Sequence, residues 1–553
     1  MKVDRRSFMA GVAALASAPR IPRGYSAQTS PASADRRAPL HRYLFLDDAH
    51  IDQAQGLEVR GHPAKRYSGN PLMVKKYPWE KTRFQLYGRD IVYNPERKLY
   101  QMFYLAQPNP APWPNVRVGG EKKVGFVTLP AYAESTDGIH WERPLRRDIS
   151  FEGIAETNIL NLHDGQSFEP AVMYDRHDPD PSRRYKAFIW DQHFQLPVQG
   201  KLDYRRGAPS LSFPRGLITD QLIRDPTGKI IYEAPYNDYG MRVAFSADGI
   251  NWKKHPGWVF KCYSDTGQSV TYDERCGKYI GIGRFNQLKD SPAYFVGRNV
   301  SRVESSDFIH WTEPELVLAG DSQDPESLQI NSMPMDIYEG LYIGILEVDV
   351  RPLPNPARPI QMAVSRDGRQ WNRVANRCPM IEEPPLGAWD ADNQPEPRGF
   401  VRPATGLFIH DDQVRMYYCN GSGPDSMHGV GMATWRRDGF VSLHAGSEGG
   451  GLLTRAFIPT SPELHLNIDA TGGEATVRVC DFQGRPLKGW KIDQPSQATR
   501  GDQLDTVVHW TDSDFDQRVG KATTLRIKLQ NADLYSYWTE GAAEGPLEMG
   551  KTS

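Results

Sequence analysis

Five carboxylates stand just ahead of five similar stretches of the chain: Asp90 in "LYGRDIVYNP", Glu169 in "GQSFEPAVMYD", Asp265 in "YSDTGQSVTYD", Glu326 in "DSQDPESLQIN" and Glu396 in "NQPEPRGFVRP". Carboxylates that converge on one cavity repel one another's charge, so that one holds a proton while another stays ionised. That division into acid and base is what cleavage of a glycosidic bond requires. Arginines accompany them: Arg89, Arg398 and Arg402 beside the acids, and Arg284 at the end of the third stretch. A guanidinium fork holds hydroxyls or a substrate carboxylate bidentately. His163 and His193 fall near the same edge and are candidates to bind substrate or to tune an acid.

The stretches that must position these groups read as β-hairpins. They are "DIVYNPERKLYQMFYLA" (90–106), "AVMYDRHDPDPSRRYKAFIWD" (171–191), "SVTYDERCGKYIGIGRF" (269–285), "SMPMDIYEGLYIGILEV" (332–348) and "TGLFIHDDQVRMYYCN" (405–420). Each shows two runs of aromatic and β-branched residues around a polar turn. With the turn residues Asn94 and Asp175 taken as equivalent, Asp90 lies four residues back and Glu169 six. Both offsets are even, so both side chains share one face of their strands.

Each hairpin is followed by a third strand of the "AYAES" or "RVAFS" type, and four of these run into a second repeat: "STDGIHW", "SADGINW", "SSDFIHW" and "SRDGRQW". The Asp-Gly pair suits a tight turn, the Ser and Asp side chains can bond nearby backbone N–H groups, and the Trp ring can fold back over a neighbouring sheet. Equivalent positions of a radial repeat lie around the rim, where they cannot meet at one ligand, so this motif is read as scaffolding. Five four-stranded units arranged radially predict a five-bladed β-propeller over residues 40–446, with residues 192–238 as an insertion in the second blade. From residue 447 to 545 the repeat stops and plain alternation with Gly turns predicts a small β-sandwich. The fold class is all-β.

A chain of 553 residues is too long for one ordinary core, and its formal net charge of −2 without long charged runs gives no footprint for nucleic acid or a membrane surface. "DRRSFMAGVAALASAP", with Arg5-Arg6 before a short apolar run and small residues, reads as a twin-arginine signal peptide over 1–27, followed by a Ser/Ala/Pro-rich linker over 28–39. The apolar run is too short to span a bilayer. The expected location is periplasmic or secreted. Five cysteines show no zinc-like spacing; Cys262 and Cys276 are a possible bridge, and buried free thiols are the alternative.

With "FLDD" (45–48), "GNPLM" (69–73), "RDIVYNPERKLYQMFY", the repeated "SxDGxxW", "YEGLYIGILEV" and the tail "RRDGFVSLHAGSEGGGLLTR", nearly the whole mature chain resembles the five-bladed propeller glycoside hydrolases of the family 32, family 43 and family 117 type. It is most similar to exported bacterial glycosyl hydrolase proteins that carry a C-terminal sandwich. The resemblance implies hydrolysis of O-glycosyl bonds in plant or algal polysaccharides and oligosaccharides, with no membrane span. It implies a first-blade Asp as base or nucleophile, here Asp90, a second-blade acid that orients or tunes, here Glu169, and a proton donor from a later blade. Asp265, Glu326 and Glu396 are the residues available for that last role. A structural or axial Ca2+ is the cation such oxygen-rich loops would suit, although no ligand loop of recognisable spacing is present. A glycoside phosphorylase, for which Arg89, Arg398 and Arg402 would bind phosphate, and a carbohydrate-binding propeller without catalysis are the alternative readings.

Overall fold

The computed structural model describes residues 42–540 apart from 87, 109–115, 124–127, 163–165, 168–169, 193–221, 225–229, 234–238, 263, 265, 286–297, 351–358, 382–383, 385–387, 392–400, 405, 421–427, 482, 486, 488–493 and 512–514. The twin-arginine leader and the linker, expected over residues 1–39, lie outside this range.

The expected hairpins form the inner half of five small sheets arranged as a five-bladed β-propeller. In the first blade Ile91–Asn94 pairs with Leu99–Gln107, which pairs in turn with Leu129–Ser135. The second is built the same way from Ala171–Tyr174, Tyr185–Gln192, Tyr239–Ser246 and Trp252–Lys254. Residues between Gln192 and Tyr239 are therefore an insertion between its second and third strands, and within it Leu222–Arg224 pairs with Ile230–Glu233. Ser269–Asp273, Lys278–Gly283, Val300–Ser305 and Glu315–Leu318 make the third blade. Met335–Tyr338, Leu341–Val350, Ile360–Ser365 and Trp371–Arg373 make the fourth. In the fifth, Phe408–His410, Gln413–Asn420 and Gly429–Arg436 are completed by Lys65–Arg66 and Met73–Val74, so the N-terminal side of the chain closes the ring.

The turn residues of the first three hairpins each lock their blade to the next. Asn94 Nδ2 donates to Tyr185 Oη at 2.6 Å, Tyr279 Oη donates to Asp175 Oδ2 at 2.6 Å, and Tyr342 Oη donates to Asp273. These bonds are buried, and breaking one strands its partner away from water at a cost of about 1–3 kcal/mol. The repeated Trp motif is built as its composition suggests. Gly138 N donates to Ser135 Oγ at 2.9 Å, Ile139 N and His140 N donate to Asp137 Oδ1 at 2.8 Å, and Trp141 Nε1 donates to the Gly138 carbonyl at 3.2 Å. The same bonds recur around Asp248, Asp307 and Asp367. Burial opposes ionisation of Asp137, but hydrogen bonds from His140, Ile139 and Ser135 prevail and hold the carboxyl below its ordinary range. Gly138 has φ +73°, and Phe308, which replaces Gly in the third copy, keeps φ 68° and buries its ring beside Phe188, Tyr279 and Trp311. The turn is strong enough to hold a bulky residue in a left-handed conformation.

The C-terminal residues supply six strands of a nine-stranded sheet. Its long strand Leu464–Cys480 pairs with Ala532–Thr539 in its first half and with Thr524–Gln530 in its second. The two halves enclose one apolar core that includes Leu466, Ile468, Val477, Val479, Ile527 and Tyr537. Tyr43–Leu44, Ile51–Gln55 and Glu58–Gly61 pair into this same sheet, although they fall within residues 40–446, the range expected for the propeller. All five cysteines are free thiols, and Cys262 and Cys276 form no bridge: Cys262 is buried in the core between the second and third blades, and Cys276 is exposed in a hairpin turn. Among the described residues no helix is long and apolar enough to cross a membrane.

Candidate active site

Residues 88–90 form a strap across the propeller axis. The Val172 N–H of the second blade donates to the Arg89 carbonyl at 2.9 Å, and the Arg89 N–H donates to the Gln268 carbonyl of the third at 3.1 Å. The Asp90 N–H donates to the Ala404 carbonyl of the fifth at 3.2 Å. The Arg89 side chain reaches the fourth, where Nη1 lies 3.2 Å from the Met335 carbonyl and 3.3 Å from Asp336 Oδ1. One tripeptide of the first blade thus touches all four others. Gly88 makes the approach possible: its φ is +137°, and a Cβ there would collide with the Gln268 carbonyl oxygen. Asp90, at the end of the strap, is completely buried. The crossing thus brings the Asp90 main chain to where the first blade meets the other four.

A second set of charges comes from the far ends of the second strands. Asp191 ends the second strand of blade two and pairs with Arg242 at 3.4 Å. In blade four Glu347 lies 3.7 Å from Arg402 of blade five, and Asp349 lies 3.7 Å from Arg298. Glu347 is held from below by Asn331 Nδ2, which donates to Oε1 at 2.8 Å, and by Ser332 Oγ, which donates to Oε2 at 3.2 Å. Asp191, Glu347 and Asp349 are all buried, as are Arg284 and Asn420, which stand at the corresponding strand ends of blades three and five. Asn420 Nδ2 donates to the Trp389 carbonyl at 2.7 Å and Oδ1 accepts from the Gly429 N–H at 2.8 Å, which fixes the chain on that side. Buried charge in such density is rare unless paired, and here the buried carboxylates Asp191, Glu347 and Asp349, with the half-buried Asp336, each meet an arginine.

Of the residues chosen from the sequence, Asp90, Arg89, Arg284 and Arg402 are brought to this region. Glu326 is not: it is exposed on a loop whose Asp324 is tied to Arg373 and Arg377 at the outer edge of blade four. Glu169, Asp265, Glu396, His163, His193 and Arg398 lie outside the described residues. The acids that sequence reasoning missed are Asp191, Asp336, Glu347 and Asp349. A signal for three of them is present, a charge that ends a long apolar run, as in "AFIWD" and "GILEVD". Among the described residues no three His, Cys, Asp or Glu side chains are grouped to hold a metal ion.

No family model matches the chain, and no curated protein does. The chain is similar to solved structures of glycoside hydrolase-like proteins. One belongs to the GH130 family of mannoside phosphorylases, which contains glycoside hydrolases that target β-1,2 mannosidic linkages in Candida mannan; it is 14% identical, with 68% of this chain and 94% of that chain covered and a TM-score of 0.40. A glycosyl hydrolase from Bacteroides ovatus gives the same figures, 14%, 68%, 94% and 0.40. An N-acetylgalactosamine deacetylase from F. plautii, in complex with blood group B trisaccharide, is 13% identical over 70% of this chain and 97% of that chain, with a TM-score of 0.38.

Proposed function

We propose that this protein is an exported glycoside hydrolase that cleaves glycosidic bonds of plant or algal polysaccharides or oligosaccharides at the propeller axis. The observation that carries the reading is the Asp90 carboxyl, completely buried on a strap bonded to every other blade. A carboxyl held this rigidly serves as base or nucleophile, because pre-set geometry removes the entropy cost of reaching the reacting carbon. Glu347 accepts hydrogen bonds on both oxygens and faces Arg402, so its role is to orient that arginine rather than to give a proton. The proton donor is then sought among Glu169, Asp265 and Glu396.

Hydrolysis is favoured over phosphorolysis by the pairing of charges. Arg89, Arg242, Arg298 and Arg402 are each matched to a carboxylate, which leaves them poorly suited to bind the two charges of a phosphate. The test is incubation of the purified protein with a panel of plant and algal glycans, with and without phosphate, and mass spectrometry of the products. Phosphate-independent release of sugar that is lost in Asp90→Asn supports the reading. Sugar phosphates as products would make the protein a phosphorylase, and tight glycan binding without release would make it a binding protein.

A further inference from the structure

The strap that carries Asp90 is held by its main chain on three sides, but on the fourth it is held only by the Arg89 side chain. That side chain crosses the axis to blade four, which is not a neighbour of blade one in a ring of five. Its partner Asp336 is fixed on both sides. Oδ1 accepts from the Ile337 N–H at 2.9 Å, and Oδ2 occupies the space that a Cβ on Gly406 of blade five would need. Met335, whose carbonyl Arg89 also reaches, is itself pinned to blade three, its N–H donating to Ser269 Oγ at 3.0 Å and its carbonyl accepting from that hydroxyl at 3.1 Å.

From this geometry we infer that Arg89 and Asp336 are a positioning pair, which fixes the strap and so the Asp90 carboxyl, and that Arg89 does not itself contact the substrate. Its effect on turnover rests on the glycosidase reading; its effect on the strap does not. As a contribution to global stability the pair is minor, because both side chains are partly open to solvent at 19% exposure and such ion pairs are weakened by water. As a determinant of position it is strong: displacement of a reacting group by about 1 Å can cost on the order of 100-fold in rate.

The test uses the full-length protein and the variants Asp336→Asn, Arg89→Lys and Gly406→Ala, the last of which pushes Asp336 aside from blade five without touching either charge. Three quantities are read: kcat and KM on a glycan that the wild type cleaves, hydrogen exchange of the Arg89 and Asp90 amides, and the melting temperature. The expected result in all three variants is a kcat roughly 10- to 100-fold lower with KM nearly unchanged, exchange at both amides faster by about tenfold or more, and melting within a few degrees of wild type. A purely structural ion pair would leave kcat and exchange alone. A raised KM with unchanged kcat would place Arg89 on the substrate, and either result overturns the inference. If the wild type cleaves nothing, the hydrolase reading fails by itself, and unchanged exchange in the variants would still refute the positioning pair.

Discussion

Replacing Glu339 by Gln should make the protein more stable at pH 8 and leave it nearly unchanged at pH 4. Glu339 and Gly340 form the two-residue turn between Met335–Tyr338 and Leu341–Val350, with φ of 48° and 74°. Asn-Gly is the usual choice for such a turn, so Glu is there against local preference. Its carboxyl is buried where blade four meets the C-terminal sheet, facing Asp438, Arg42 and Arg437. Arg437 Nη2 is 3.9 Å from Oε1, and Oε2 has no hydrogen-bond partner among the described residues. Asp438 takes most of the compensation: Arg42 Nη1 at 2.8 Å, Tyr338 Oη at 2.6 Å and Ser536 Oγ at 2.6 Å. Asp438 therefore keeps its charge, whereas burial first and the Asp438 charge second push Glu339 from the ordinary 4.5 up to about 7. A carboxyl raised in the folded state contributes stability that is fully present below the unfolded value and is lost as pH rises through the folded one. Between pH 4.5 and about 7 the wild type should therefore lose about 3 kcal/mol. Gln, a neutral isostere, escapes this loss, so the variant should melt several degrees above wild type at pH 8. Calorimetric melts of both proteins from pH 4 to pH 8 measure the difference. Parallel profiles would refute the reasoning, as would a variant destabilised equally at every pH.

Asp248→Ala removes the acceptor for the Ile250 and Asn251 N–H groups, each at 2.8 Å. It should lower stability by about 1–2 kcal/mol in chemical denaturation while turnover per folded molecule stays unchanged. Gly88→Ala should do more, because its Cβ meets backbone of blade three at a φ that Ala does not tolerate. Its expected outcome is a melting temperature lower by several degrees together with loss of turnover, read by calorimetry and sugar release.

The hairpins were legible because each carries its own alternation and turn, which are local properties of the chain. Completely buried in the structure, Asp90 was picked out by its even offset from the turn residue Asn94. Asp191, Glu347 and Asp349 were not, because a charge at the end of an apolar run reads equally well as the place where a strand leaves the core for water. Only the folded ring buries those strand ends. Glu326 shows the converse error. It precedes a hairpin as Asp90 does, but its loop is drawn outwards by Arg373 and Arg377, some fifty residues further on. The joining of Tyr43–Leu44, Ile51–Gln55 and Glu58–Gly61 to the C-terminal sheet, and of Lys65–Arg66 to blade five, spans most of the chain, beyond the reach of any local pattern.

The central claim is that chemistry belongs to the strap at the axis and folding to the repeated Trp turn. It is tested most directly by comparing Asp90→Asn with Asp137→Ala for sugar release and thermal melting on one preparation of glycan. Asp90→Asn should lose roughly 10²- to 10⁴-fold in kcat and melt within a few degrees of wild type, while Asp137→Ala melts lower and keeps its turnover when folded. Normal turnover in Asp90→Asn, or an Asp137→Ala protein that folds normally yet cleaves nothing, would contradict the account.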